Sequence, residues 1–264
     1  MNHTPGFTAV VTAAGHATRF RPFSTIVPKE MLPVGTTPAV QHVVTECLDA
    51  GATQVIVVTR PDDTVIPAHL ATLTARGLPV ETVPEDTSHG YGNGAPLLTL
   101  RDRLAEEDSF AVAFGDDVLL DSPTPGADLA TMHRLAHEGA DAVIATQHVD
   151  PAETGSFGII DVHEGQADRV AAIRQRPHPT TVNQPLAVVS RLILRPSIFD
   201  HLTATDLARG EVDLGIAVGQ LASHADVRLH RITSCWVTVG DPHHYLHALR
   251  LHALLDETDE TASV

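Results

Sequence analysis

Four apolar runs punctuate the first 150 residues: "FTAVVT", "QVIVVT", "SFAVAF" and "DAVIATQHV". Between them lie segments with helical spacing, "PAVQHVVTECLDAGA", "APLLTLRDRL" and "LATMHRLAHEGA". In the first of these, Val40, Val43, Val44, Cys47 and Leu48 share one face, and Gly51 closes it. Near-continuous β-branched runs suit parallel strands buried on both sides. Their alternation with helices predicts a doubly wound α/β sheet with right-handed crossovers. The second half is less regular. "GIIDVHEGQADRVAAIRQRP" reads as a β-turn-β unit, "PLAVVSRLIL" as a strand, "PSIFDHL" as a short helix and "GEVDLGIAVGQLAS" as a helix. "VRLHRITSCWVTVG" supplies one or two strands, "DPHHYLHALRLHALL" a closing helix, and the acidic end a frayed tail. No linker divides the 264 residues, so one domain is expected.

Composition excludes some functions. A formal net charge of −16 argues against unselective nucleic-acid binding. No apolar run reaches the length of a membrane span, and the start lacks the pattern of a secretory signal. Cys47 and Cys235 are too few for a disulfide framework and read as small apolar side chains, which suits a reducing cytoplasm. The seventeen histidines are scattered, densest in "DPHHYLH", and read as surface or helix-face residues.

Ligands of open α/β sheets bind beyond the carboxyl ends of the strands. Two segments there carry chemistry: "AAGHATRFRP" after the first strand and "GDD" after "FAVAF". The first offers a tight turn with free N–H groups, as a phosphate loop does, although it is neither GxGxxG nor the GxxxxGK[ST] loop. It runs into a segment stiffened by Pro22, Pro28 and Pro33 that carries Arg19, Arg21 and Lys29. Lys29 is the only lysine in the chain; the other sixteen basic side chains are arginine.

"PKEMLPV", in this setting, resembles the signature of sugar-phosphate nucleotidylyltransferases, the nucleoside-diphosphate-sugar pyrophosphorylases, and most of all the bacterial UTP–glucose-1-phosphate uridylyltransferases. Further segments extend the likeness in order along nearly the whole chain: "GYGNGAPLL", "FGDDVL", "FGIIDV", "PLAVVSRLILRPSIFDHL", "GEVDL" and "VGDPHHYLHAL". The resemblance implies a mostly parallel nucleotide-binding sheet, Rossmann-like and glycosyltransferase-A-like, with a smaller sugar-binding part. The nucleotide half would span about 1–150, the sugar half about 151–255, and the frayed tail 256–264. It implies attack by a sugar 1-phosphate on the α-phosphate of a nucleoside triphosphate, UTP first, with Mg²⁺ assisting and pyrophosphate leaving. Family members are often homo-oligomers, so self-association belongs to the expectation.

Residue by residue, the resemblance assigns Arg19 to the β- and γ-phosphates and Lys29 to the α-phosphate. Asp116 falls at the metal. Ala14, Gly15, Gly90, Gly92, Asn93 and Asp117 fall on the nucleotide, and Gly158, Gln175, Arg176 and Glu211 on the sugar phosphate. Several positions depart from the pattern. Thr238 replaces a second metal aspartate, and Asp241 is not taken as its substitute. Ala17 replaces a glycine, Gln175 a glutamate, Pro185 an asparagine and Ser190 a glycine. Gly215 and Ile216 replace a threonine and an aspartate. Relative to the uridylyltransferases the chain is short in the helical region after Val58. Two outcomes fit these departures: a transferase with an altered acceptor, such as a modified sugar or cyclitol phosphate, or a nucleotide-binding paralogue that catalyses poorly.

Overall fold

The computed structural model describes residues 5–204 and 211–262. The strands are β1 (Phe7–Ala13), β2 (Pro33–Val34), β3 (Thr37–Pro38), β4 (Ala52–Thr59), β5 (Val80–Pro84), β6 (Phe110–Phe114) and β7 (Asp117–Leu120). They continue as β8 (Ala142–His148), β9 (Gly158–His163), β10 (Gln166–Gln175), β11 (Leu186–Leu194), β12 (Val227–Arg231) and β13 (Cys235–Thr238). The helices are α1 (Ala39–Asp49), α2 (Val65–Thr74), α3 (Ala95–Thr99), α4 (Arg101–Leu104), α5 (Ala127–His137), α6 (Leu214–Leu221) and α7 (Pro242–Ala262).

Nine strands form one sheet in the order β5-β4-β1-β6-β11-β8-β12-β10-β9. The pairs β4–β5, β1–β4, β1–β6 and β12–β8 are parallel. Strand β11 runs antiparallel to both β6 and β8. It arrives from the β9–β10 hairpin rather than through a helical crossover, which reverses its direction. Strand β9 also touches β11 at Ile159–Ala187, so the far edge of the sheet curls back on itself.

Side chains alternate between two buried faces. Ala9, Val11, Val55 and Val57 meet Val43 and Cys47 of α1, Leu70 of α2 and Met132 of α5. Val10, Ile56 and Val112 meet Leu97, Phe199 and Val218 on the other side. Helices therefore cover both faces, as double winding requires. A third, smaller cluster joins Leu32 and Val34 to Val118, Val237 and Ala248, and seats α7 against the β7–β13 ribbon. Among the described residues no helix is long and apolar enough to cross a membrane.

Helix α2 and strand β5 fill the stretch that the sequence left without an element. "VIPAHLATLT" is apolar almost all round and carries Pro67, so its period is weak; β5 is a short edge strand ending at Pro84. The single helix expected over "APLLTLRDRL" breaks into α3 and α4 at Leu100. The acidic stretch after Leu255, expected to fray, continues helical to Ala262; residues 263–264 lie outside the described residues, as does Gly210 of "GEVDL".

One buried charge braces this framework. Arg191, in the middle of β11, is among the largest fully buried side chains. Its guanidinium binds Glu46 of α1 in two places, at 2.9 and 2.6 Å, and donates to the carbonyls of Ser190 and Asp117. One side chain thus ties a helix, a strand and the turn after β6 together.

Candidate active site

The chain moves outward from β1 through β4 to β5, then returns to place β6 on the other side of β1. That reversal opens a crevice beyond the carboxyl ends of β1 and β6. A cavity of about 640 Å³ lies there, within the range typical of small-molecule sites. Its lining includes Arg19, Lys29, Asn93, Asp116 and Asp117 from the first 150 residues, and Gly158, Gln175, Arg176 and Glu211 from the rest of the chain.

The loop after β1 reaches the cavity in three single turns of 3-10 helix, Thr18–Phe20, Phe23–Thr25 and Lys29–Met31. Ser24 Oγ donates to the Ala17 carbonyl at 2.7 Å and pins the loop. Ala17 takes the left-handed conformation, φ 47°, that a glycine would occupy without strain. The third turn delivers Lys29, whose Nζ stands 2.6 Å from Asp116 Oδ2 and 3.8 Å from Glu30 Oε1. Burial alone would lower the ammonium's pKa; the charge of Asp116, then that of Glu30, outweighs it and raises the group above the ordinary lysine range. Lys29 is therefore charged at neutral pH. Gly15 lies against it, since a Cβ there would stand 3.4 Å from Lys29 Cε and Nζ. Ala14 and Gly15 form the rim of this turn, outside the residues that line the cavity.

Glu30 was not singled out from the sequence. It is 2% exposed, and its Oε2 has no hydrogen-bond partner. Burial pushes its carboxyl above the ordinary value of 4.5, against the opposing pull of Lys29. The folded chain then keeps a proton that the unfolded chain releases. Glu30's contribution to stability is present below pH 4.5 and is lost as pH rises through the raised value. Glu30→Gln is expected to gain stability on the wild type between about pH 5 and about pH 8, with a slope of up to about 1.4 kcal/mol per pH unit. Denaturant titrations across that range check it; parallel curves for the two proteins would refute it.

The β7–β13 ribbon sets the acid side of the cavity. Its register puts Thr238 opposite Asp117, and the Val239 amide donates to the Asp116 carbonyl at 2.7 Å. Thr238 Oγ1 accepts from the Gly240 amide at 3.1 Å. Asp117 is buried, which raises its pKa together with the charge of Asp116; hydroxyls of Ser190 and Thr238 oppose that shift. The two departures at 190 and 238 therefore meet on one carboxylate.

The loop of residues 90–94 zips onto the segment 211–214. The Val212 amide donates to the Tyr91 carbonyl at 2.7 Å, the Gly94 amide to Val212 at 3.0 Å, and the Leu214 amide to Asn93 Oδ1 at 2.7 Å. Gly92 has φ 119°, and a Cβ there would fall 2.4 Å from the Val212 carbonyl. Its missing side chain serves this backbone contact; Gly90 and Gly92 themselves are not among the lining residues. Loop and segment form one unit, which places Glu211 and Asn93 together.

On the opposite stretch of the lining, Gln175 Nε2 donates to Asp213 Oδ1 at 3.1 Å. A Cβ on Gly215 would sit 2.3 Å from that nitrogen. The Gln175 amide therefore packs directly against the backbone of Gly215. Arg176 is exposed in a left-handed conformation, φ 48°, and its amide donates to the Phe157 carbonyl at 2.9 Å. Phe157, Trp236 and His244 line the cavity as well, without being singled out by the sequence. The first two rings pack edge to face at 5.1 Å.

Comparison with known proteins follows this geometry. A nucleotidyl transferase family model matches residues 8–253. The chain is 30% identical to a UTP–glucose-1-phosphate uridylyltransferase of Staphylococcus saprophyticus, over 95% of this chain and 93% of that protein. It is 29% identical to the Staphylococcus haemolyticus enzyme of the same name, over 94% and 92%. A solved UDP-glucose pyrophosphorylase complexed with UDP-glucose superposes with a TM-score of 0.80 at 23% identity, covering 94% of this chain and 98% of that one. The UTP-bound enzyme from Acinetobacter baumannii gives 0.78 at 25% identity, with 94% of each chain covered. The cavity thus lies in a chain whose family model runs nearly from end to end: it belongs to the nucleotidyl transferase family.

Proposed function

We propose that this protein transfers a uridylyl group from UTP to the phosphate of a sugar 1-phosphate, glucose 1-phosphate first, and releases pyrophosphate. The observation that carries the reading is the Lys29–Asp116 pair, 2.6 Å apart in a cavity shared by Arg19 and Arg176. Three cations stand over one volume: one for the α-phosphate, one for the leaving pyrophosphate, one for the attacking phosphate. Phosphoryl chemistry of this kind needs little beyond positioning and charge neutralisation. The relatives' names and the UTP-bound and UDP-glucose-bound neighbours support both substrates.

In this reading Lys29 sits at the α-phosphate as a compact charge, and Arg19, whose side chain is exposed, clasps the β- and γ-phosphates with its fork. Ala14 and Gly15 present the turn to the phosphates. Asn93, with Gly90 and Gly92 beside it, shapes the base side, and Asp117 supports the floor. Arg176 holds the acceptor phosphate, while Gly158, Gln175 and Glu211 meet the sugar.

We assign Mg²⁺ to Asp116. The donor set suits it: the neighbouring carboxylates of Asp116 and Asp117 both line the cavity, and Thr238 adds only a hydroxyl. Mg²⁺ takes one or two carboxylates and completes its shell from water and substrate phosphates. When bound, the ion supplies neutralisation of phosphate charge.

Initial rates with four nucleoside triphosphates against glucose 1-phosphate and a panel of other sugar 1-phosphates test the reading, with products identified by mass. UDP-glucose is expected to form with the highest kcat/KM. Preference for another base would refute the UTP assignment, and preference for another sugar would point to the departures at Gln175 and Gly215, which both line the cavity.

A further inference from the structure

Asp241 opens α7 and holds the third residue after it. Its Oδ1 accepts the amides of His243 and His244 at 3.0 and 3.1 Å, and its Oδ2 accepts His244 Nδ1 at 2.6 Å. The imidazole is fixed on a second side by Phe157, edge to face at 6.0 Å. A carboxylate partner keeps the proton on Nδ1. That leaves Nε2 as the free atom of a ring that lines the cavity, and among the described residues no group bonds it.

Position adds to geometry. Arg19 Nη1 lies 3.8 Å from the Asp241 carboxylate that clamps the ring. Phe157, against the ring's other side, takes the Arg176 amide on its carbonyl. His244 therefore lines the same cavity as Arg19, read as holding the leaving pyrophosphate, and Arg176, read as holding the attacking phosphate. Both arginines are cations of that cavity, so the space that His244 faces is suited to an anion.

We propose that His244 is a substrate-contacting residue that binds the phosphate of the acceptor sugar phosphate through Nε2, with Asp241 as its positioning residue. The assignment rests on the transferase reading above. A phosphate monoester that arrives as the monoanion gives its proton to neutral Nε2; one that arrives as the dianion meets the imidazolium. Both routes end in the same pair, a dianionic nucleophile beside an imidazolium held by the Asp241 carboxylate. No bond to carbon or phosphorus changes in this step, and the proton stays in the site. Asp241 suits the role because the hydrogen bonds from His244 and from the His243 amide, against the opposing effect of burial, hold its carboxyl below the ordinary aspartate range.

The test compares His244→Ala and His244→Gln with the wild type. Steady-state kinetics with UTP and glucose 1-phosphate are read beside calorimetric titration of glucose 1-phosphate and a thermal melt. His244→Ala is expected to raise KM for glucose 1-phosphate by about tenfold or more, as loss of a charge-assisted hydrogen bond does, with KM for UTP within about twofold. His244→Gln, whose amide donates from a similar reach, is expected to recover part of that loss. An unchanged KM for glucose 1-phosphate in both variants, or an equal rise for both substrates, would overturn the assignment while leaving the transferase intact. A wild type that neither turns over nor binds glucose 1-phosphate would overturn the transferase reading for that acceptor, and this assignment with it.

Discussion

Lys29→Ala is expected to lower kcat with UTP and glucose 1-phosphate by about 10²- to 10³-fold, the loss typical of removing one preorganised charge from a transition state. The folded state is expected to survive the change. Lys29 neutralises Asp116, but Asp116 faces the cavity, where water and substrate reach it. Glu30 has its carboxyl pushed up to about 8 by burial even with the ammonium in place, so it stays protonated at neutral pH when that charge is gone. A drop in turnover together with a thermal midpoint within a few degrees of the wild type is the predicted pattern. Lys29→Arg separates charge from shape: Gly15 presses close to the ammonium, and the wider, flatter guanidinium is expected to lose at least about tenfold. Turnover within a few-fold of the wild type in Lys29→Ala would remove this residue from the mechanism.

Arg191→Ala carries the largest expected effect on stability, about 3–5 kcal/mol. Removing the guanidinium strands Glu46 on α1 and frees the Asp117 carbonyl, with an unfilled space in β11. At about 2–4 °C per kcal/mol for a chain of this size, the midpoint falls by roughly 10 °C. The double change Arg191→Met with Glu46→Met replaces the pair by apolar volume and is expected to restore most of the loss. A double variant as unstable as the single one would show that packing, rather than the stranded carboxylate, sets the cost. Because the Asp117 carbonyl neighbours Asp116, the single variant is also expected to lose activity before it unfolds.

The parallel half of the fold was legible because β1, β4, β6 and β8 are short apolar runs buried on both faces, and α1 has clear helical spacing. The reversal of β11 was not: an apolar strand reads the same in either direction, and only its partners fix its sense. Lys29 and Asp116 were legible as motif positions at strand ends. The contacts that give those positions meaning were not, because they join residues far apart in the chain. Arg191 meets Glu46 across 145 positions, and Thr238 reaches the Asp116 carbonyl across 122. Gln175 lies against Gly215 across 40 positions (215 less 175), a contact that the sequence does not show. His244 is one histidine among seventeen, and the sequence gives its neighbour Asp241 no role at the metal; only the placement of α7 beside the cavity distinguishes the pair.

The most direct measurement is pyrophosphate release by the purified protein supplied with UTP, glucose 1-phosphate and Mg²⁺, followed alongside UDP-glucose formation. The account predicts release that needs both substrates and matches UDP-glucose one for one. Tight UTP binding with no pyrophosphate released, with glucose 1-phosphate or any other sugar 1-phosphate, would contradict it and mark a chain that holds the nucleotide without transferring it.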